Sequence, residues 1–287
     1  MKSGVVALVG RPNTGKSTLL NNLLGQKVTI TSPKPQTTRF PIRAVYEDER
    51  GQIIFVDTPG ILEKAKDRLS RRLGKIPEAV LKEKPDLILY LVDHTRKRDI
   101  EENRILGIVR KFKEVPKILA INKTDIKKPS YLAQYKFMEE EFAKTLEISA
   151  LLRKNLNLLL DAIFEYLPEG EAMVETKEMA SPLLNLDSKM FVAEIIREKA
   201  FLFLREELPY NITTLVEEIA ERDNGLLYVK AKIITTDGRY RRMIIGTRGR
   251  MVKEIGMAAR KELEVAANKK VYLDLEVTVN PHWQEEL

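Results

Sequence analysis

The stretch Gly10-Arg11-Pro12-Asn13-Thr14-Gly15-Lys16-Ser17 decides the fold of the first half of this chain. It fits the pattern GxxxxGKS, follows the short apolar run of residues 5–9, and leads into an apolar helical stretch, TLLNNLLG. Glycines let such a loop wrap a phosphate group with its amides turned inward, and the N-terminus of the following helix adds positive potential. The pattern therefore predicts strand, phosphate loop and helix, and a nucleoside triphosphate as the ligand.

Two side chains of this loop have specific roles in the predicted site. Lys16 is placed to reach the β and γ phosphates, and the Ser17 hydroxyl is placed to ligate Mg²⁺. A glycine-rich turn without a ligand is the alternative, and the strand and helix on either side argue against it. The predicted phosphate-binding residues are Gly10, Arg11, Pro12, Asn13, Thr14, Gly15, Lys16, Ser17, Thr18, Asp57 and Gly60.

A second motif, NKTD at residues 122–125, follows the strand-like run of residues 117–121. A carboxylate at Asp125 can accept hydrogen bonds from N1 and the exocyclic amino group of guanine, whereas adenine offers neither donor. The Ala150 amide, at the end of a later strand-like run, could donate to guanine O6. A charged surface turn is the alternative. We predict guanine as the base, bound by Asn122, Lys123, Asp125, Ser149 and Ala150.

Two further segments are suited to sense the γ phosphate. The motif DTPG at residues 57–60 ends a strand-like run, where Asp57 can hold a Mg²⁺-bound water and the Gly60 amide can touch the phosphate. Residues 28–41 lack helical periodicity, and Thr38, or else Thr37, would supply a second hydroxyl to the metal. We predict Mg²⁺ bound by Ser17, Thr38 and Asp57, and switching of Thr37, Thr38, Thr58, Pro59 and Ile61.

Composition narrows the class of protein. The 287 residues suffice for two domains, and 44% apolar with 32% charged residues excludes a disordered chain. The absence of cysteine excludes disulfides and thiolate metal sites and favours a cytoplasmic compartment. Neither a signal peptide nor a membrane span is expected. The net charge of +7 allows a polyanionic partner without requiring one.

Strand-like runs alternate with helical patterns as far as residue 167. This alternation predicts βαβ units, a mostly parallel sheet and an α/β fold. Together with the phosphate loop and the NKTD motif, it predicts an α/β P-loop GTPase domain with a mixed sheet flanked by helices. Residues 168–182 are acidic, bounded by prolines and poor in large apolar side chains, which favours a linker. We predict a GTPase domain at 1–168, a linker at 169–182 and a second domain at 183–287. The expected strands are 5–9, 53–56, 87–92, 117–121 and 146–149, and the expected helices 103–113, 131–144 and 155–167.

The second domain has a different pattern. We expect a helix at 189–207, antiparallel strands at 213–221 and 226–235, the loop GTRG at 246–249 between two helices, and a last strand at 271–279. This α-β-β-α-α-β order is that of an α+β type II KH domain, whose GxxG loop clamps single-stranded nucleic acid. The glycines let phosphates approach the backbone.

Charge around this loop supports the interpretation. Residues 230–253 contain eight basic residues against Asp237 alone, although the second domain is nearly balanced overall. A solvated basic surface is the alternative. The candidates for base stacking are Tyr228, Tyr240, Tyr272 and Trp283, each with an ordinary core or surface position as its alternative. The predicted RNA-binding residues are Gly246, Thr247, Arg248, Gly249, Arg250, Lys253, Arg241, Arg242 and Lys230.

In order and spacing, GRPNTGKS, TTR, DTPG, NKTD and SA resemble the five motifs of the translation-factor-like GTPases. Asn13 is similar to the asparagine that helps bind K⁺ in the branch containing Era and the tRNA-modification GTPases; a plain loop asparagine is the alternative. Ile61 stands where Ras-like enzymes have a water-orienting glutamine. We therefore expect slow intrinsic turnover that rises with K⁺ or a bound RNA partner.

Over its whole length the chain resembles the bacterial Era family. The resemblance implies a GTP/GDP switch that binds the 3′ end of small-subunit (16S) ribosomal RNA and assists small-subunit assembly. It also implies some peripheral inner-membrane association. We further expect a monomer, located in the cytoplasm. Thr247 and Arg248 depart from the family's usual lysine-rich loop. An RNA-modification enzyme would need a cysteine and a folate domain, which this chain lacks, and intact motifs argue against a purely structural RNA-binding protein.

Overall fold

The computed structural model describes residues 1–27, 29, 39, 41–59, 75–175 and 188–286. They belong to two compact units, Met1–Asn185 and Leu186–Leu287. The strands of the first unit are β1 (Lys2–Val9), β2 (Ile42–Asp48), β3 (Gly51–Asp57), β4 (Leu87–Asp93), β5 (Lys117–Asn122) and β6 (Lys144–Glu147). Its helices are α1 (Lys16–Leu24), α2 (Ile76–Lys82), α3 (Ile100–Lys111), α4 (Leu132–Lys136) and α5 (Leu156–Tyr166).

The strands form a mixed sheet in the order β2-β3-β1-β4-β5-β6, with β2 antiparallel to β3 and the remaining pairs parallel. The central strands are apolar runs because helices cover both faces, and every residue of β4 is buried. Parallel strands end at the same edge of a sheet. The carboxyl ends of β1, β3, β4 and β5 therefore lie together at one edge, which is where open α/β sheets bind ligands.

Two helices show how local sequence fixes the elements around that edge. Helix α1 is bounded by Gly15 and Gly25, both in the left-handed region. Helix α3 begins after Asp99, whose carboxylate accepts a hydrogen bond from the Glu102 amide at 3.2 Å. Its first turn is acidic and its last turn basic, as the helix dipole favours.

The predicted helix at 131–144 is wrong. Helix α4 ends at Lys136, a 3₁₀ turn follows at Glu139–Glu141, and β6 begins at Lys144. The Ala143 amide donates to the Lys117 carbonyl at 2.9 Å, which draws the chain into the sheet beside β5. Phe137, counted as part of the helix, is 86% exposed.

The start of the predicted linker is attached to the first unit. Glu169 pairs with Lys2, and the amides of Met173 and Val174 donate to the Gln52 side chain at 2.8 and 3.0 Å. Residues 176–187 lie outside the described residues, so the linker boundary at residue 182 stays a prediction.

The second unit contains α6 (Ser188–Phe203), β7 (Ile212–Glu221), β8 (Leu227–Thr235), α7 (Gly238–Ile245), α8 (Arg250–Ala267), β9 (Val271–Val279) and α9 (Trp283–Glu286). Strand β8 pairs antiparallel with β7 and parallel with β9. Helices α6, α7 and α8 contribute to one hydrophobic cluster with the sheet. The predicted fold class, an α/β domain with a mixed sheet flanked by helices followed by an α+β domain of order α-β-β-α-α-β, is confirmed.

Candidate functional site

The phosphate loop joins the end of β1 to α1, and two of its glycines leave no room for a side chain. A Cβ on Gly10 would lie 2.3 Å from the Leu91 carbonyl oxygen. Gly15 has φ 100°, and a Cβ there would lie 2.4 Å from Asn122 Nδ2. Asn13 also adopts a left-handed conformation, with φ 64°. Backbone of this kind turns successive amides toward one point and forms an anion-binding concavity.

Lys16 lies buried inside this loop. Its ammonium donates to the carbonyls of Gly10 and Arg11 at 3.0 and 2.9 Å. Burial lowers the pKa of Lys16 to about 8, although the charge of Asp57 acts in the opposite direction. A buried ammonium at a concave row of amides is suited to a polyanionic ligand, which would stabilise its charged form.

Ser17 and Asp57 meet at the end of β3. The Ser17 hydroxyl donates to Asp57 Oδ2 at 2.8 Å. Within the described residues Asp57 Oδ1 is buried without a hydrogen-bond partner, and burial raises the pKa of Asp57 to about 6. Mg²⁺ prefers oxygen ligands and is usually held by few protein groups together with substrate phosphates. A hydroxyl beside a buried carboxylate with an unpartnered oxygen therefore fits Mg²⁺.

Arg11 lies in the phosphate loop, but its side chain turns toward the start of α3. The guanidinium donates to Asp99 at 2.7 Å, to Glu101 at 3.2 Å and to the Lys97 carbonyl at 3.3 Å. It also lies 3.6 Å from the buried Glu102. Its predicted contribution to phosphate binding is thus limited to its main chain. Nothing in the sequence signals this, since the partners lie about ninety residues away.

The NKTD motif is joined to both neighbouring loops by Asn122. Its Nδ2 donates to the Thr14 carbonyl, and its Oδ1 accepts from the Ala150 amide, both at 2.8 Å. Asp125 accepts from the Ser149 hydroxyl at 2.5 Å. The structure thus brings together the residues predicted to bind guanine. The Ala150 amide, predicted as a donor to guanine O6, is here the donor to Asn122.

The structure describes the predicted switch residues only in part. Thr58 is buried, and its hydroxyl donates to the Leu8 carbonyl at 2.8 Å, which anchors the end of β3 to β1. Pro59 is also buried. The predicted switch and metal residues Thr37, Thr38, Gly60 and Ile61 lie outside the described residues.

In the second unit the GxxG loop connects α7 to α8. Gly246 has φ 73°, and a Cβ there would lie 2.8 Å from the Met251 Cβ. Gly249 has φ 76° with open space around it, and Arg248 is also left-handed, with φ 53°. The loop therefore presents a compact backbone turn immediately before the N-terminus of α8, a geometry suited to a phosphate.

The basic cluster predicted around this loop is smaller than the sequence indicates. Lys230 lies 3.4 Å from Glu217 across the β7–β8 pair, and Lys232 also contacts that carboxylate. Arg241 donates to the Val277 carbonyl at 2.9 Å, and Arg250 pairs with Glu254 at the same distance. In the described part of the chain, the exposed side chains of Arg242, Arg248 and Lys253 form no ion pair.

A groove beside the loop was missed by the sequence analysis. It encloses about 230 Å³ between α8 and β9. Gly256 lies in the middle of α8 and adds no side chain to the groove. A Cβ at this position would lie in contact with Leu275 on the opposite wall, at 3.7 Å. The lining is apolar with a cationic rim and consists of Val252, Lys253, Gly256, Met257, Arg260, Leu273 and Leu275. A glycine inside an amphipathic helical pattern, here Gly256, is the feature of the sequence that could have indicated this groove.

The aromatic candidates divide by burial. Trp283 is buried and offers no face to a base, whereas Tyr240 is half-buried against the core. Tyr228 and Tyr272 stack at 5.9 Å between ring centroids, and Tyr272 is 57% exposed. Among the described helices, none combines the length and apolar character required to cross a bilayer.

Comparison with known proteins follows the same two-part division. The family described as a 50S ribosome-binding GTPase matches residues 5–123, and the KH domain family matches residues 207–284. The GTPase Era of Halothermothrix orenii is 42% identical over 292 residues, covering 99% of this chain and 95% of that protein.

Two solved structures resemble the chain over nearly its whole length. A variant of Aquifex aeolicus Era bound to GDP and aluminium fluoride is 40% identical, with a TM-score of 0.91, covering 99% of this chain and 96% of that chain. An Era bound to MgGDPNP and nucleotides 1506–1542 of 16S ribosomal RNA has the same identity and TM-score, covering 99% and 95%. With that identity over both domains in the same order, this chain belongs to the Era family of GTPases.

Proposed function

We propose that this protein is a GTP- and GDP-binding switch that hydrolyses GTP and binds the 3′ end of 16S ribosomal RNA through its KH domain, assisting small-subunit maturation. One observation carries the proposal: Lys16, the Ser17–Asp57 pair and the NKTD motif meet at one sheet edge in a chain that also has a GxxG loop. A relative similar over nearly the whole chain was solved with a GTP analogue and this part of 16S ribosomal RNA.

The residues around the phosphates would have two roles: some would bind the phosphates directly, and others would hold the metal ion. Lys16 and the loop amides would bind the β and γ phosphates, while Ser17, Asp57 and Thr38 would hold Mg²⁺. When bound, Mg²⁺ would supply positive charge that neutralises the charge developing on the phosphate during transfer. Asp125 would accept from guanine through the carboxylate that Ser149 holds in place.

Hydrolysis is expected to be slow without assistance. Ile61 cannot hydrogen-bond an attacking water, so turnover should be on the order of 10⁻⁴ to 10⁻² per second, as for unassisted GTPases. We propose that K⁺, bound with the help of Asn13, supplies positive charge near the β–γ bridge. Single-turnover hydrolysis in Na⁺ and in K⁺ tests this. Faster hydrolysis in K⁺ supports the role, and equal rates in the two salts exclude it.

RNA binding would use the GxxG loop and the groove between α8 and β9. The loop backbone and the cations Arg242, Arg248 and Lys253 would hold phosphates, and the apolar groove would receive bases. An acidic side chain at Gly249 would block and repel phosphate. We expect Gly249→Asp to weaken binding of an RNA with the 16S 3′-end sequence by roughly tenfold or more, with GDP affinity unchanged.

Gly225 provides a matched control for that substitution. It has φ 75° against 76° for Gly249, and neither position has an atom within 4 Å of an added Cβ. The same change to aspartate therefore carries the same backbone strain, in the turn between β7 and β8. Fluorescence anisotropy should show RNA affinity lost in Gly249→Asp and kept in Gly225→Asp. Equal affinity of the two variants would refute the KH interface.

We further propose that the protein acts as a cytoplasmic monomer, with a fraction bound peripherally to the inner membrane. The resemblance to the Era family supports this location. Cell fractionation with an alkaline wash tests the membrane part, because peripheral protein is released by the wash and integral protein is retained. Analytical ultracentrifugation tests the monomer, which a sedimenting dimer would contradict.

A further inference from the structure

Lys123, in the middle of the NKTD motif, has an unusual backbone conformation. Its φ is 68°, in the left-handed region that residues other than glycine rarely adopt. Such a conformation persists only where surrounding contacts hold it in place. Lys123 lies two residues before Asp125, so the contacts that hold its peptide act together with the Ser149 hydroxyl to set the direction of that carboxylate.

The side-chain contacts of Lys123 come from the last residue of β4 and the residue that follows it. Its ammonium lies 2.6 Å from the buried carboxylate of Asp93. Its carbonyl oxygen accepts from the Ile126 amide at 2.9 Å and lies at the same distance from Nε2 of His94. Within the described residues, the His94 ring is the one side chain that contacts this carbonyl, and it comes from a segment distant in sequence.

His94 is buried and contacts both ends of the segment that carries Asp125. Nδ1 of the ring lies 3.1 Å from the Ser130 hydroxyl, and the His94 carbonyl accepts from the Tyr131 amide at 2.7 Å. A carbonyl oxygen can only accept, so Nε2 donates to Lys123. In the neutral ring Nδ1 then accepts from Ser130.

We infer that His94 is a positioning residue for base recognition: its Nε2–H holds the Lys123 peptide so that Asp125 faces the guanine amino group. The inference rests on the proposed binding of guanine by Asp125. His94 touches neither the base nor the phosphates in this account. Its effect should therefore be seen in discrimination between bases that differ at the group Asp125 reads.

Three substitutions separate the two hydrogen bonds of the ring. A glutamine amide can reach the place of Nε2, and an asparagine amide can reach the place of Nδ1. His94→Gln thus keeps a donor for Lys123, His94→Asn keeps only a partner for Ser130, and His94→Ala keeps neither. Ser130→Ala is the control, because it removes the second bond and leaves the first.

The measurement is the ratio of dissociation constants for IDP and GDP, obtained by titration calorimetry in Mg²⁺. Inosine lacks the exocyclic amino group but keeps the N1 hydrogen, so the ratio reports the hydrogen bond from that amino group to Asp125. We expect the ratio to fall by roughly tenfold in His94→Ala and His94→Asn, as for loss of one hydrogen bond. It should stay within about threefold of wild type in His94→Gln and Ser130→Ala. If His94→Ala does not fold, the glutamine and asparagine variants decide.

The outcomes separate this inference from the proposal beneath it. A wild-type protein that binds IDP as tightly as GDP, with no change in Asp125→Ala, refutes recognition by Asp125 itself. If wild type prefers GDP over IDP and His94→Asn keeps that preference, only the role of His94 is overturned. The role of His94 is also overturned if His94→Gln lowers the ratio of the IDP and GDP dissociation constants as much as His94→Ala does. Equal weakening of GDP and IDP binding would show a merely structural role and likewise overturn it.

Discussion

At the scale of single residues, Gly10 shows how strictly the phosphate loop depends on a missing side chain. A Cβ there would meet the main-chain oxygen of Leu91 at 2.3 Å, and a strand backbone cannot turn aside. We expect Gly10→Ala to lower the free energy of unfolding by about 1–3 kcal/mol, as overpacking does, and to weaken GDP binding.

The control for this change is Gly107→Ala in α3, where no atom lies within 4 Å of an added Cβ. Alanine is the better helix former, so this variant should gain up to about 1 kcal/mol. Urea unfolding measures both variants. A loss of stability in Gly107→Ala as large as that in Gly10→Ala would show that the close approach at Leu91 is not the cause.

Asp57 should make the stability of the nucleotide-free protein depend on pH. Burial raises its pKa from 3.8 to about 6. The folded state therefore binds this proton more tightly than the unfolded chain, and stability falls as the pH rises through that window. We expect Asp57→Asn to be more stable than wild type at about pH 7, by up to roughly 2–3 kcal/mol. This figure is an upper limit, because the buried Lys16 loses the charge that partly compensates its own.

The advantage of Asp57→Asn should shrink as the pH is lowered from about 6 toward 3.8, because wild-type Asp57 then becomes neutral in both states. Urea unfolding at a series of pH values gives the difference directly. A difference that is constant with pH would contradict a raised pKa. The variant should also bind GTP more weakly in Mg²⁺, since a carboxylate oxygen is lost.

At the scale of elements, helix α3 holds the phosphate loop through a buried ion cluster. Arg11 meets Asp99 and Glu101, and Glu102 is fully buried beside it with a hydrogen bond from Tyr90. Removing one partner of a buried pair leaves an uncompensated charge. We expect Arg11→Met to cost about 3–5 kcal/mol in stability, and the added Glu102→Gln change to recover part of it.

Arg110 of the same helix provides the comparison. It pairs with Glu141 at 2.5 Å, but the two side chains are 55% and 38% exposed. Surface pairs contribute about 1 kcal/mol or less, so Arg110→Met should be nearly neutral.

The coupling between Arg11 and Glu102 is measured by a double-mutant cycle, with the free energy of unfolding taken from urea unfolding. Additive effects of the two changes would contradict a buried cluster.

The sequence predicts elements where one motif or one run determines them. The phosphate loop, NKTD and GxxG are local patterns, and they lie where expected. The helix at 131–144 is wrong because the pairing of Ala143 with Lys117 depends on the neighbouring strand. The ion pair between Lys230 and Glu217 could not be predicted, because it depends on the register of two strands. The contact of His94 with Lys123 could not be predicted either, because the two residues are 29 positions apart.

At the scale of the whole molecule, the two units have separate hydrophobic clusters, which predicts that they fold independently. The hydrophobic cluster of the second unit is built from its own helices and strands. We therefore expect fragments 1–185 and 186–287 each to unfold cooperatively, the first binding GDP and the second RNA. Circular dichroism melting and anisotropy test this. A fragment that melts without a cooperative transition would contradict the division.

The central claim is that one chain combines a guanine-nucleotide switch with a KH interface for the 3′ end of small-subunit ribosomal RNA. Crosslinking in cells, followed by sequencing of the bound RNA, tests it most directly. We predict enrichment at the 16S 3′ end for wild type and Gly225→Asp, and loss of that enrichment for Gly249→Asp. Reads spread evenly over ribosomal RNA, or unchanged enrichment in Gly249→Asp, would contradict the account.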